Sequence, residues 1–249
     1  MKYEIYGGSF PVVECTLKKG ESMITQSGAM AYMDAHFDME TSTNGGLGKV
    51  VGRLFTREKL FQNIYTATED NAKIAFGTCV PGSIMAIKLE KGQTLLCQKS
   101  SFLASYGNIE LSTFFNKKIG VGIFGGEGFI IQKITGEGIV FIEIDGSMKE
   151  FELAENEQLI LSTGHLVSMS DTCSIDVKTV KGLKNIILGG EGLFNTAVTG
   201  PGKVTVQTMP LPKLATCIVP YLPQTSSSAS NTGNDAVDAA ASIFKMFNK

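Results

Sequence analysis

The chain has 249 residues, 43% hydrophobic and 18% charged, and 22 Lys and Arg against 24 Asp and Glu leave a formal net charge of −2. This composition excludes a disordered chain and an ordinary electrostatic nucleic-acid binder, which needs a surplus of cations. With 28 Gly, 2 His and no Trp, it describes strands and turns better than an active site.

In chain order, the N-terminal Met-Lys-Tyr-Glu-Ile-Tyr-Gly-Gly lacks the apolar stretch of a signal peptide. No apolar run approaches the roughly 20 residues that span a bilayer. The expectation is a soluble cytoplasmic protein with no transmembrane segment. Val13 to Leu17 then alternates apolar and polar residues, the period of a strand with one buried face.

That pattern returns twice, at Met85–Leu96 and Lys149–Ile160, so that Leu17, Leu89 and Leu153 correspond at offsets of 72 and 64 residues. Two residues before each leucine stand Cys15, Ile87 and Phe151, which makes Cys15 a core position. Three residues after it stand Gly20, Gly92 and Asn156, the residue types that best tolerate positive φ, so a left-handed turn between two strands is predicted there. Cys15, Cys79, Cys97, Cys173 and Cys217 form no C-x-x-C pair and are odd in number, which indicates reduced thiols and neither a disulfide framework nor a zinc site.

Later in each copy come further matched turns: Gly125-Gly126-Glu127-Gly128 against Gly189-Gly190-Glu191-Gly192, with a weaker Thr56–Phe61 counterpart. Glu69-Asp70-Asn71, Thr135–Gly138 and Thr199–Gly202 follow, and the strands Ala72–Phe76, Ile139–Ile144 and Lys203–Gln207 close the copies. The predicted fold class is all-β: three tandem β-sandwich or jelly-roll-like repeats at 1–78, 79–143 and 144–210, with internal pseudo-threefold symmetry and folding as one body. Pro210, Pro212, Pro220 and Pro223 predict an extended start to a Pro/Ser-rich linker over 211–234. A short amphipathic helix over 235–249 follows, with Val237, Ala240, Ala241, Phe244 and Phe247 on one stripe.

The triple repeat, Gln26–Met30, Met39-Glu40-Thr41 running into Gly45-Gly46-Leu47-Gly48, and the two Gly-Gly-Glu-Gly motifs together resemble the altered-inheritance-of-mitochondria family and its bacterial relatives of unknown function. The resemblance covers about residues 1–210. It implies three β units, each like a subunit of the tryptophan RNA-binding attenuation protein, and homo-oligomers, trimers among them. It carries no catalytic motif, and no transit-peptide pattern accompanies it here.

Candidate sites are few. Asp34, His36, Asp38 and Glu40 would share one strand face, where a divalent cation is conceivable, but Ala35, Phe37 and Met39 alternate with them as on any half-exposed strand. His165, near Ser162, Thr163 and Ser168, matches Ala29 and Ser101 in the other copies and reads as a lone surface imidazole. The Gly-Gly-Glu-Gly loops lack the Lys and Ser/Thr of a phosphate loop. Lys18, Lys19, Lys91, Lys117 and Lys118 would make a basic track for RNA, but Glu155 takes the slot of Lys19 and Lys91. No catalytic, cofactor-binding or metal residue is assigned, and no cofactor is expected. The reading is a non-enzymatic, oligomeric β scaffold acting through protein–protein interaction, with the helical stripe as a partner contact. The alternatives are a small-ligand or RNA-binding module using clefts between repeats or subunits, and, last, a metal-dependent enzyme.

Overall fold

A computed structural model describes residues 1–26, 28–43, 61–117, 129–179, 194–218 and 221. Nearly all of this is β-structure. The first stretch carries β1 (Lys2–Tyr6), β2 (Val12–Leu17), β3 (Ser22–Gln26), β4 (Met30–Met33), β5 (Phe37–Thr43), β6 (Phe61–Ala67) and β7 (Ala72–Gly77). Three long strands follow, β8 (Gly82–Gln98), β9 (Phe102–Lys117) and β10 (Phe129–Asp145). The last stretch holds β11 (Met148–Leu153), β12 (Gln158–Ser162), β13 (Leu166–Ser170), β14 (Ser174–Thr179), β15 (Phe194–Thr199) and β16 (Gly202–Gln207).

They form a four-stranded sheet ordered β1-β2-β7-β4, a nine-stranded sheet ordered β11-β16-β13-β8-β10-β9-β3-β6-β5, and a three-stranded sheet ordered β12-β15-β14. Every ladder among the described residues is antiparallel. The period-two reading of β2 holds: Val13, Cys15 and Leu17 are buried while Val12, Glu14 and Thr16 are half-buried. Burial also pushes the Cys15 thiol up to about 12, so it stays protonated as a small apolar side chain.

The three leucines Leu17, Leu89 and Leu153 are all buried. Positive φ is present at each matched slot, 83° at Gly20, 86° at Gly92 and 64° at Asn156; at Gly20 and Asn156 it makes the expected turn between two strands, whereas at Gly92 it is an irregularity inside the continuous strand β8. Each slot is spanned by the same kind of bond: Lys18 N–H donates to Glu21 Oε2 (2.9 Å), Glu90 N–H to Gln93 Oε1 (2.8 Å) and Ala154 N–H to Glu157 Oε2 (2.8 Å). The registers agree as well, since Ser22 faces Thr66, Thr94 faces Thr135 and Gln158 faces Thr199.

Three apolar clusters make the core, and each draws on separate parts of the chain. One joins Val13, Ile74 and Phe76 to Leu103 and Phe141, a second joins Leu96 and Phe129 to Leu166 and Val204, and a third joins Leu89 and Ile142 to Val167. Residues 211–218, expected to be extended, form a helix instead, α1 (Leu211–Ile218). Pro212 lies in its first turn, where a missing N–H costs nothing, and the Asp145 carboxylate accepts the Leu211 N–H (2.8 Å). The linker beyond it and the 235–249 helix lie outside the described residues, with Val237, Ala240, Ala241, Phe244 and Phe247.

Candidate functional site

The four acidic and imidazole side chains expected on one strand face are not on one strand. The chain bends at Asp34–His36 between β4 and β5, so only Asp38 and Glu40 lie on β5. Asp34 is used locally, its Oδ2 accepting the Lys73 N–H (2.8 Å), and His36 Nδ1 lies 3.5 Å from Glu69. Among the described residues no group of three or more His, Cys, Asp or Glu side chains is arranged to hold a metal ion.

His165 is not a surface side chain either. It is half-buried in a 3-10 turn over 163–165, with Nδ1 2.7 Å from Gln207 O, while Gln207 Nε2 donates to Gly164 O (3.1 Å). Both Gly-Gly-Glu-Gly loops, Gly45–Gly48 and Lys118 lie outside the described residues. Lys18 and Lys19 sit on an exposed turn whose Lys19 N–H is taken by Asp70 Oδ1 (3.0 Å).

Two features have no counterpart in the sequence reading. A polar seam runs through the nine-stranded sheet: Gln26 Nε2 donates to Lys99 O (3.1 Å), and Thr25 Oγ1 donates to Leu103 O (2.5 Å). Gln98 and Gln132 are buried beside it. The signal was available, because Gln26, Gln98 and Ser162 occupy one polar slot at offsets of 72 and 64.

The second feature is a carboxylate pair at the end of β10. Burial pushes Glu143 up to about 7, although its Oε1 accepts the Cys79 N–H (2.9 Å), and burial raises Asp145 as well. Between the ordinary carboxylate value near 4.5 and about 7, the folded chain keeps a proton that the unfolded chain releases. Stability from this group is therefore complete below pH 4.5, falls as pH rises through that window and levels off above 7. Glu143→Gln keeps the acceptor and removes the charge. It is expected to flatten that slope and to raise stability at pH 8 by roughly 1–2 kcal/mol, allowing for partial solvation. Urea melts of both proteins at pH 5 and pH 8 check this.

The surface feature of most consequence is the pair of strands β4 and β12. Among the described residues each is hydrogen-bonded on one side only, β4 to β7 and β12 to β15. Tyr32 and Met33 on β4 are 43% and 38% exposed, and Ile160 on β12 is 55% exposed. Beside β4 the outer sheet face is ordered by a polar chain: Tyr32 Oη contacts Tyr6 Oη and donates to Glu14 Oε2 (2.7 Å), and Lys73 Nζ binds Glu14 Oε1 (2.8 Å). Lys73 and then Tyr32 hold the Glu14 carboxyl below its ordinary value. The N-terminal sheet also exposes Tyr3, Ile5, Tyr6 and, in the turn between β1 and β2, Phe10.

Comparison with known proteins gives two matches of note. A family model described as mitochondrial biogenesis AIM24 matches residues 3–209. A crystal structure of a Streptococcus pyogenes protein is similar, with a TM-score of 0.70 and 26% identity over 89% of this chain and 99% of that one. Comparison with curated proteins gives no match. No helix among the described residues is long and apolar enough to cross a membrane.

Proposed function

The chain belongs to the mitochondrial biogenesis AIM24 family, and from that premise we propose that it is a non-enzymatic, oligomeric β scaffold that works through protein–protein contact. In this reading the copies at 1–78, 79–143 and 144–210 are one module written three times and packed as one pseudo-threefold body. The terminal stripe Val237, Ala240, Ala241, Phe244 and Phe247 is a second contact element on a tether.

The observation that carries the reading is the pair of sheet edges left open, among the described residues, at β4 and β12, with large apolar side chains at both. Open strand edges that carry no protecting charge are templates for pairing with another chain. The matched positive-φ slots at Gly20, Gly92 and Asn156 support the threefold reading.

The test has two parts. Affinity capture of the full chain from native cells, with mass spectrometry, is expected to return a reproducible partner set that includes untagged copies of the chain. Light scattering is expected to give a mass that is a multiple of 26.7 kDa. Deleting residues 225–249 is expected to remove the other partners and leave the self-assembly. A chain that stays monomeric and captures nothing above background overturns the reading.

A further inference from the structure

We propose that the C-terminal stripe Val237, Ala240, Ala241, Phe244 and Phe247 packs along the apolar stripe of α1 in its own chain, the one formed by Leu211, Leu214 and Ile218. This deepens the scaffold reading, and rests on it in taking residues 235–249 as a contact helix.

α1 is held at its start and left open along its side. Leu211 N–H donates to Asp145 Oδ2 (2.8 Å) and Met209 N–H to Asp145 O (3.1 Å), which ties the first turn to the end of β10. Leu211, Leu214 and Ile218 stand at i, i+3 and i+7, on one helical face. On a surface helix such a face is laid against the core. Here Leu214 is half-buried, and Leu211 and Ile218 are each 47% exposed. Tyr221, three residues on, is 86% exposed. An eight-residue helix is shorter than the roughly 12–15 residues that hold a helix in water unaided, so a half-covered face calls for a second partner.

The surroundings favour an apolar partner. Residues 5–13, 74–87 and 204–212 contain no Asp, Glu, Lys or Arg. Their turns meet at this end of the body, where Gly82 N–H donates to Ser9 O (2.7 Å) and Gly146 N–H to Pro81 O (2.8 Å). Phe10 at the same end is exposed. The acids nearby are engaged: Asp145 by Leu211, and Glu143 by the Cys79 N–H (2.9 Å).

The chain itself supplies the occupant. After Tyr221, 13 residues, 222–234, lead to the terminal stripe. A flexible linker of that length spans about 20 Å on average. It keeps the stripe beside α1 at an effective concentration of about 1 mM. At 1.5 Å per residue the stripe over 237–247 is about 15 Å long and that of α1 about 11 Å, so the two match in length. Ala240 and Ala241 at its middle allow an interaxial distance of about 8 Å. Asp235 and Asp238 balance Lys245 and Lys249, which gives the segment no net cation to draw it to an anionic lipid surface.

The test is hydrogen–deuterium exchange of the full chain, read by mass spectrometry, with Ile218→Asp and Phe244→Asp as full-length variants. An isolated helix of this length is marginal in water, so slow amides over 237–247 report a seated stripe. At an effective concentration of about 1 mM, a contact of about 0.1 mM affinity already slows exchange roughly tenfold. The wild type is expected to show that protection, and both variants to lose it while keeping the wild-type circular dichroism. Phe244 lies beyond the family-matched residues 3–209, so its variant carries the test if Ile218→Asp does not fold. The two variants are also coexpressed, which leaves an intact α1 on one chain and an intact stripe on the other. No protection is expected there, because the contact lies within one chain.

A stripe that exchanges freely in the wild type, that stays protected in either variant, or that regains protection in the coexpressed pair overturns the contact. So does protection that appears only on adding anionic phospholipid vesicles, which assigns the stripe to a lipid surface. Each of these leaves the scaffold reading in place where the chain still assembles and captures partners. A protected stripe on a chain that does neither overturns the scaffold reading and leaves the contact.

Discussion

Replacing Gly136 with alanine is expected to destabilise the protein by about 3 kcal/mol or more, through backbone strain added to overpacking. Gly136 has φ of 136°, and a Cβ built on it would lie 1.9 Å from Asn108 O and 2.9 Å from Asn108 C. Both atoms are backbone, so no side-chain rotation relieves the clash. The residue sits where β10 changes register against β8, between Gly136 and Gly138, and it faces Ile109 on β9, two residues from Gly107, whose φ is 99°. A thermal melt is expected to show a midpoint lower by roughly 6–12 °C, at about 2–4 °C per kcal/mol for a chain of this size. Gly92→Asn is the control. Gly92 has φ of 86° with no atom within 4 Å of a built Cβ, and Asn156 already occupies the matched turn, so its melt is expected to move by only a degree or two. Equal melting points for the two variants would refute the assignment of strain to the β9–β10 crossing.

The contrast between these glycines marks what was legible in the sequence. A backbone position that needs positive φ announces itself by residue type, and Gly20, Gly92 and Asn156 are readable for that reason, although the turn between two strands predicted at Gly92 is absorbed into β8. Alternation likewise identified the buried face of β2 and the core role of Cys15. The crossing at Gly136 was not readable, because its demand comes from Asn108, a neighbour 28 residues away that the strand pattern does not name. The same holds for Glu143, whose raised pKa is set by what folds over it. Period two orients side chains but does not say which strand lies alongside, so the open edges at β4 and β12 emerge only from the ladders. Two local misreadings have local causes. The alternating Asp34–Glu40 run hides a bend at Asp34–His36, and Pro212, which reads as part of an extended segment, falls in the first turn of a helix, where proline is tolerated.

Phe141→Ala probes how far the three stretches of the chain depend on one another. Phe141 is fully buried although it belongs to β10, and its cluster is made largely by Val13, Cys15, Leu17, Ile74 and Phe76 from the N-terminal stretch. Tyr3 closes over it edge-on, with ring centroids 5.1 Å apart at 77°. Removing a fully buried phenyl ring loses its transfer free energy and leaves a cavity that strands on both sides are poorly placed to fill, a cost of about 3–5 kcal/mol. If the N-terminal sheet and β10 fold as one body, the loss is shared, and calorimetry is expected to show a single transition displaced downward by roughly 6–20 °C. If instead residues 1–78 were a separate folding unit, the ring would be only a docking contact, and the endotherm would split while its upper component kept the wild-type midpoint. The single displaced peak is the expected result, because Phe141 also lies in ladder with Ala86 and Ala104 and so ties the N-terminal core to the centre of the nine-stranded sheet.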